Sequence, residues 1–452
     1  MLRFMGKNLR EQYEKAQELG KPAFIERPYF GSPAAPAQAE TNASQIWGHI
    51  NAGYLIGYEY THWWKESRAL RSAAVIGDWS WLNKTLVRGR DSARLLNYAT
   101  VKDLSAQQPG QIVYTPMVNA DGKVAIEGLT LKLAADEYLF TQSAGLKWLE
   151  FLRDKTGMKA SLEDVTPDYT CYALQGPRST EVLEALTKET WRELRFSRFR
   201  KTSFEKTEVI VARQGVTGEV GYEFLMRTDT GRAHELWRRI REVGRDFGLR
   251  ELGFKAQMIG HTETGIATVI RDFLPARGTP EQVRRMMRFW MSAEDLAQVD
   301  SVEEHFCSPG ELGWGHTISL EKTHFHGKPA LEKEIDAGGP RRRLVGLVWS
   351  SEAMAELHAA QYRDAPAAPP PDLPSGQFRV FFMKIVEGGW ASGYAYSPTL
   401  RRMISLARVD REIPTGTKVQ VLWGPFADEP QAAIRASVVD LPFIARKREK
   451  AL

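Results

Sequence analysis

The stretch Ala212–Phe224, ARQGVTGEVGYEF, sets three glycines, Gly215, Gly218 and Gly221, around one carboxylate, Glu219. A second acid, Glu223, follows inside an apolar run. Upstream, TEVIVARQ (207–214) is rich in β-branched residues; downstream, GYEFLM (221–226) has strand character. Such residues favour pleated, half-buried backbone, and glycines punctuate it. The spacing predicts a hairpin with a glycine-built turn. It also poses a question: why an acid sits on backbone stripped of side chains.

Outward from the hairpin the pattern is mixed. KTLVRG, QIVYTPMVNADGKVAIEGLTLKL and EYLFTQSAG, within 84–145, alternate as strands with turn residues NADGK between two of them. Helical patterns occupy 145–157, 177–189 and 231–247; the second starts with proline, where a missing N–H costs nothing. Residues 277–310 are charged and helix-prone and read as an insertion, a lid or packing arm. Residues 363–376, RDAPAAPPPDLPSG, hold five prolines and read as an exposed loop or linker. Beyond 377 short strands return at the spacing of a small β-barrel. The expected class is α+β.

Bulk composition narrows the function. The 452 residues suffice for two or three domains, and 43% hydrophobic with 26% charged residues is ordinary globular usage. A net charge of +5 suits an anionic small molecule or a weakly acidic surface and does not argue for nucleic acid. Two cysteines exclude a disulfide framework and a cysteine metal cluster, so the chain reads as reduced and cytoplasmic. The N-terminus, MLRFMGKNLREQYEKAQELGK, reads as a charged amphipathic helix without the apolar core of a signal peptide, and no membrane span is expected. His324, His326 and nearby His316 fit a polar loop or structural histidines better than a metal site. No P-loop, dinucleotide fingerprint, HExxH or GxSxG occurs.

Residues 24–81 contain eleven aromatic residues, where the chain average of 10% gives about six. Packed core explains most of them; a wall for a flat ligand is the sharper reading. LQGPRS (174–179) turns a strand into a helix, which accounts for Gly176 and Pro177 but does not require Gln175.

In order, LQGPRS, GVTGEVGYEF, HTETG, LEKTHFHGKPAL, RRRLVGLV and SPTLRRMISLARV resemble motifs of the aminomethyltransferase (glycine cleavage T-protein) superfamily. The resemblance runs from about residue 70 to the C-terminus. It implies a folate-binding core of two related α+β subdomains over 1–340, interrupted by the insertion at about 277–310, and a C-terminal β-barrel over 341–452. It implies tetrahydrofolate as cofactor, with Glu219 hydrogen-bonding the pterin and Gln175, Tyr222 and Glu127 in the same set. A carboxylate can accept from a ring N–H and an exocyclic NH₂ at once, and glycines would let backbone approach a flat ring.

Length, the RPYF opening, the aromatic N-terminal segment and GFKAQMIGHTETG (253–265) resemble the tetrahydrofolate-dependent O-demethylases of lignin-type methoxyarenes, the vanillate and syringate enzymes. The paired-aspartate stretch of the true T-protein reads Ile126-Glu127 here, which disfavours an aminomethyl donor on a lipoyl carrier. The demethylase resemblance implies methyl transfer from a methoxylated aromatic acid to N5. Gln257 stands in place of a tyrosine, and Ile266 in place of a tryptophan. Candidate proton donors to the departing oxygen are Tyr29 and Asp78 first, then His62 and Tyr222. Lys132 stands where a substrate-binding arginine is expected, and Trp79 and Trp81 are candidates for the aromatic wall. Another folate-dependent one-carbon transferase, acting on an aminomethyl group, a sulfonium or an amine, and a non-enzymatic folate-binding protein remain as alternatives.

Overall fold

The computed structural model describes Arg10 and residues 30–50, 54–288, 296, 299, 301–373, 382–424 and 429–449. Tyr29, Phe24 and most of the N-terminal helix lie outside the described residues.

The hairpin is present, as strands Thr207–Arg213 and Gly221–Arg227 in antiparallel register, Ala212 opposite Glu223. It sits inside a six-stranded sheet. Tyr169–Gln175 pairs with its second strand, Val75–Asp78 follows, and Arg250–Leu252 closes one edge in parallel. Both faces are covered, which explains the nearly unbroken apolar runs. On one face Tyr172, Leu174, Tyr222, Phe224 and Met226 pack under helices Ser179–Thr187 and Ala233–Gly244. Burying each such side chain contributes roughly 2 kcal/mol. The opposite face, with Cys171, Ala173 and Leu225, meets a five-stranded sheet through Trp79, Leu86, Leu129 and Leu139. Strand alternation therefore sends Tyr222 to the helix side and Glu223 toward the second sheet.

The second sheet orders Ser161–Asp164, Asn83–Arg88, Glu137–Gln142, Gly128–Ala134 and Ile112–Tyr114, all antiparallel. A three-stranded sheet built from Phe30–Gly31, Tyr54–Glu59 and Ile46–Ile50 packs Tyr54 and Ile56 on helix Phe254–Glu263. The C-terminal sheet runs Met383–Lys384, Gly389–Ser397, Arg402–Asp410, Arg342–Trp349, Ala432–Val439, Lys418–Trp423, and a bridge from Ile385 to Val421 nearly closes it into a barrel. The insertion contributes helix Pro280–Met287, which begins with a complete capping box: Thr279 Oγ1 accepts from the Gln282 backbone, and the Gln282 side chain accepts from the Thr279 backbone.

The proline-rich segment departs from the exposed-loop expectation in its second half. Residues 361–366 are exposed, but Ala368 is buried in the barrel core. Gln361 Nε2 donates to Ala368 O (2.7 Å), and Trp423 Nε1 donates to Pro369 O (2.6 Å). Proline has no N–H to donate, yet its carbonyl still accepts, so the run is pinned as a strap.

Candidate active site

A cavity of about 2950 Å³ lies where these units converge. That is several times an ordinary small-molecule site and gives room for two ligands. One wall is aromatic: Trp47, Tyr58, Trp79, Trp81 and Phe254. Phe254 packs against Tyr58 at 5.7 Å and against Trp81, edge-on, at 6.0 Å. Such rings present π-faces to a flat ligand. Helix Phe254–Glu263 adds Gln257, Met258 and His261, and Ile266 follows. The C-terminal segment adds Arg446 and Arg448, and the insertion adds Arg277 and Met286.

Among the carboxyls that line this space, Glu223 and Glu127 are the two that burial perturbs most. Glu223 is 5% exposed, and its hydrogen-bond contact among the described residues is the weak one with the Cys171 thiol, 4.0 Å from Oε2. Burial pushes its pKa up to about 7, with the Lys84 ammonium acting in the opposite direction. Lys84 does not pair with it; Nζ donates to Ser80 O (3.0 Å) and Leu82 O (2.6 Å). Glu127 is raised to about 7 by burial, against the hydrogen bonds from Tyr114 and Ser143. The Tyr114 hydroxyl is itself held well above its ordinary range by burial and by Glu127. His261 is kept neutral, its pKa pushed down to about 3 by burial and by Arg271 and Arg448, with Nδ1 3.1 Å from Thr268 Oγ1.

Of the residues singled out from sequence, Glu127, Trp79, Trp81, Gln257 and Ile266 come together on the cavity. Six others do not. Glu219 is fully buried behind the hairpin in an ion network: Arg71 Nη1 lies 3.2 Å from it, Lys447 Nζ 3.2 Å, and Arg71 bridges on to Glu263. Gln175 donates to Gln214 O (3.0 Å) and accepts from Thr217 Oγ1 (3.0 Å), clamping the loop between the hairpin strands. That clamp explains the glycines: a Cβ at Gly215 or Gly221 would sit 1.9 or 2.2 Å from the Gln175 amide, and one at Gly218 2.2 Å from Thr264. Close packing of side chains accounts for the bare backbone at these three positions.

Tyr222 bonds Thr180 Oγ1 (3.0 Å) on the helix side of the sheet. Asp78 accepts from Ser32 Oγ, Gln38 Nε2 (2.6 Å) and the Ser80 backbone (3.0 Å), which ties down the segment around 32–38. His62 caps helix Trp63–Ser72 and stacks on Trp63. Lys132 donates to Gln107 O (2.7 Å), and the cavity lining does not include it. Reading by sequence passed over Tyr114, Ser143, His261 and Arg277, and noted Glu223 without assigning it a role. The signal for Glu223 was present: an acid at the inward position of an apolar strand costs free energy unless something pairs with it.

The model of the GCVT N-terminal domain matches residues 44–282, more than half of the chain. This chain belongs to the GCVT family. An aminomethyltransferase of Caldanaerobacter subterraneus is 27% identical over 406 residues, covering 88% of this chain and 92% of that one. A sesamin methylene transferase of Sinomonas is likewise 27% identical over 433 residues, with the same coverage. Among solved structures, the glycine cleavage system aminomethyltransferase T of Bartonella henselae superposes with a TM-score of 0.69 over 94% of this chain and all of that one, at 19% identity. The fold is that of the T-protein, and the chain is a transferase of the aminomethyltransferase family. Enzymes of the family use tetrahydrofolate. The cavity fits that cofactor: it is large enough, one wall is aromatic, and Glu223 is a buried carboxyl that lacks a strong donor among the described residues.

Proposed function

We propose that this GCVT-family enzyme is a tetrahydrofolate-dependent O-demethylase that moves a methyl group from a methoxylated aromatic acid to N5 of the cofactor. The observation that carries the reading is Glu223, desolvated on a cavity wall with the Cys171 thiol as its hydrogen-bond contact among the described residues. A carboxylate so placed is satisfied by a ligand that donates two N–H groups side by side, as the 2-amino-4-oxo edge of a pterin does. Glu223 thereby takes the role that sequence assigned to Glu219. Tetrahydrofolate, when bound, supplies the nucleophilic nitrogen that accepts the methyl group.

The residues of this chain supply position, exclusion of water and a proton. Trp47, Tyr58, Trp79, Trp81 and Phe254 form a surface on which a methoxyarene stacks out of water. Holding both partners in one cavity is worth several kcal/mol of barrier. Phenolate leaves an ether reluctantly, so a proton delivered to the departing oxygen contributes about 10²- to 10⁴-fold. Glu127 fits that task, because its carboxyl keeps its proton up to about pH 7 and the Tyr114 hydroxyl fixes its orientation. Gln257 and Ile266 border the same space and shape it, and Gln257 offers an amide but no acid.

The similarity to a sesamin methylene transferase supports a one-carbon donor other than an aminomethyl group. The aminomethyltransferase relatives at equal identity favour a second reading, aminomethyl transfer, so glycine-derived donors belong in the same screen. Calorimetric titration with tetrahydrofolate tests the site. Glu223→Gln is expected to weaken binding by about 1.5–3 kcal/mol, the range for hydrogen bonds to a charged group. Glu219→Gln is expected to leave affinity within about twofold while lowering the denaturation midpoint, because it breaks a buried ion network. Undiminished affinity in folded Glu223→Gln protein contradicts the assignment.

A further inference from the structure

We propose that Arg277, delivered by the insertion, is the anchor for the carboxylate of the substrate; this rests on the demethylase reading above. Arg277 lines the cavity half-buried. Nη1 donates to Ala144 O (3.0 Å), and Nη2 meets the Met286 sulfur at 4.0 Å. Among the described residues no carboxylate pairs with it, and burial alone lowers its pKa. Several other cations on the wall are already engaged: Lys255 with Glu59 (3.5 Å), Lys147 with Glu150 (2.9 Å), Arg446 with the carbonyls of Thr264 and Gly265, and Arg448 with the Gly215 carbonyl (3.0 Å), while Arg288 is exposed. A guanidinium partly out of water with spare donors is a fork shaped for a carboxylate.

Its position is fixed rather than loose. Ala276 N donates to Val124 O (2.8 Å), which ties the segment to the strand leading into Glu127. Gly278, with φ +107°, turns the chain directly into the capping box of helix Pro280–Met287. The Ala144 carbonyl that orients the guanidinium is adjacent to Ser143, a partner of Glu127. Arg277 thus shares with the proposed proton donor the wall around Ser143 and Ala144, so a small aromatic acid can rest its carboxylate on the guanidinium while its methoxy oxygen faces Glu127. The Lys132 alternative is spent on Gln107 O outside the cavity.

A carboxylate in this cavity can come from the substrate or from the glutamate tail of the cofactor, and the test separates them. Wild-type protein and Arg277→Met are titrated with 3-methoxybenzoate, 3-methoxybenzamide, tetrahydrofolate and tetrahydropteroate, which lacks the glutamate. The wild type is expected to bind the benzoate at least 10-fold more tightly than the benzamide. Arg277→Met should lose about 10- to 100-fold for the benzoate alone, with Arg277→Lys between them. A benzoate preference that survives in Arg277→Met, or that is missing from the wild type, overturns the anchor. Selective loss of tetrahydrofolate over tetrahydropteroate affinity overturns the substrate as the source and assigns Arg277 to the glutamate. Methyl transfer by the wild type is scored separately: if it fails while the Arg277-dependent preference holds, the demethylase reading falls and the anchor stands.

Discussion

Glu223 and Glu127 both hold a proton at a pH where an exposed glutamate has lost it, and each has a measurable consequence. The carboxyl of Glu223 titrates near 4.3 in the unfolded chain and near 7 in the ligand-free fold. Between those values the folded state binds more protons, so the contribution of this group to stability falls as pH rises from about 4.5 to about 7 and is level above that. The full change is on the order of 3 kcal/mol. Urea denaturation of wild type and Glu223→Gln at pH 5 and pH 7.5 reads it as a difference, in which other titrating groups cancel. The variant should gain on the wild type at the higher pH; parallel pH dependences would count against a desolvated carboxyl. For Glu127 the sign concerns rate. If the protonated form delivers the proton, kcat declines as pH rises through about 7, and Glu127→Gln loses both that limb and about 10²- to 10⁴-fold in rate. A retained limb in the variant would move the acid elsewhere.

The hairpin and the strand beside it act as one element. Gln175 fills the space that Gly215 and Gly221 leave, and its amide holds the loop through Gln214 and Thr217. Gly221→Ala forces a methyl against Nε2 and is expected to destabilise by about 1–3 kcal/mol. Gln175→Ala removes the clamp and should cost a similar amount. Combined, the two changes should cost less than their sum, with a coupling of about 0.5–3 kcal/mol, because the second deletes the clash of the first. Additivity in thermal denaturation would show that the contact is not shared. The same element shows how far sequence reasoning reached. Strand character, hairpin pairing and the glycine motif were legible because β-branched runs and turn residues act locally. Which acid faces the ligand was not, because it depends on alternation across a sheet buried on both faces, where Tyr222 and Glu223 look equally inward. Lys132 and Asp78 misled for a related reason: a charged residue in a strand pattern does not reveal whether a carbonyl or a ligand meets it.

At the scale of the whole molecule, the cavity is made by elements far apart in sequence, from Trp47 near one end of the chain to Arg448 near the other. The α+β class, the barrel strands and the aromatic segment could be read from sequence patterns, whereas the convergence of these units could not. The proline-rich strap gives a test of the architecture. Tyr362 is 91% exposed, while Ala368 is held in the barrel core, so limited proteolysis should cut first within 361–366. First cleavage inside the strands of 389–439 would contradict the barrel as a closed unit. The central claim is that this cavity transfers an aryl methyl group to tetrahydrofolate. The direct measurement incubates the protein with tetrahydrofolate and a panel of methoxybenzoates carrying ¹³C in the methoxy group, followed by NMR. The account predicts growth of ¹³C-labelled 5-methyltetrahydrofolate matched by release of the phenol; no label reaching the cofactor from any methoxybenzoate, alongside transfer from a glycine-derived donor, would contradict it.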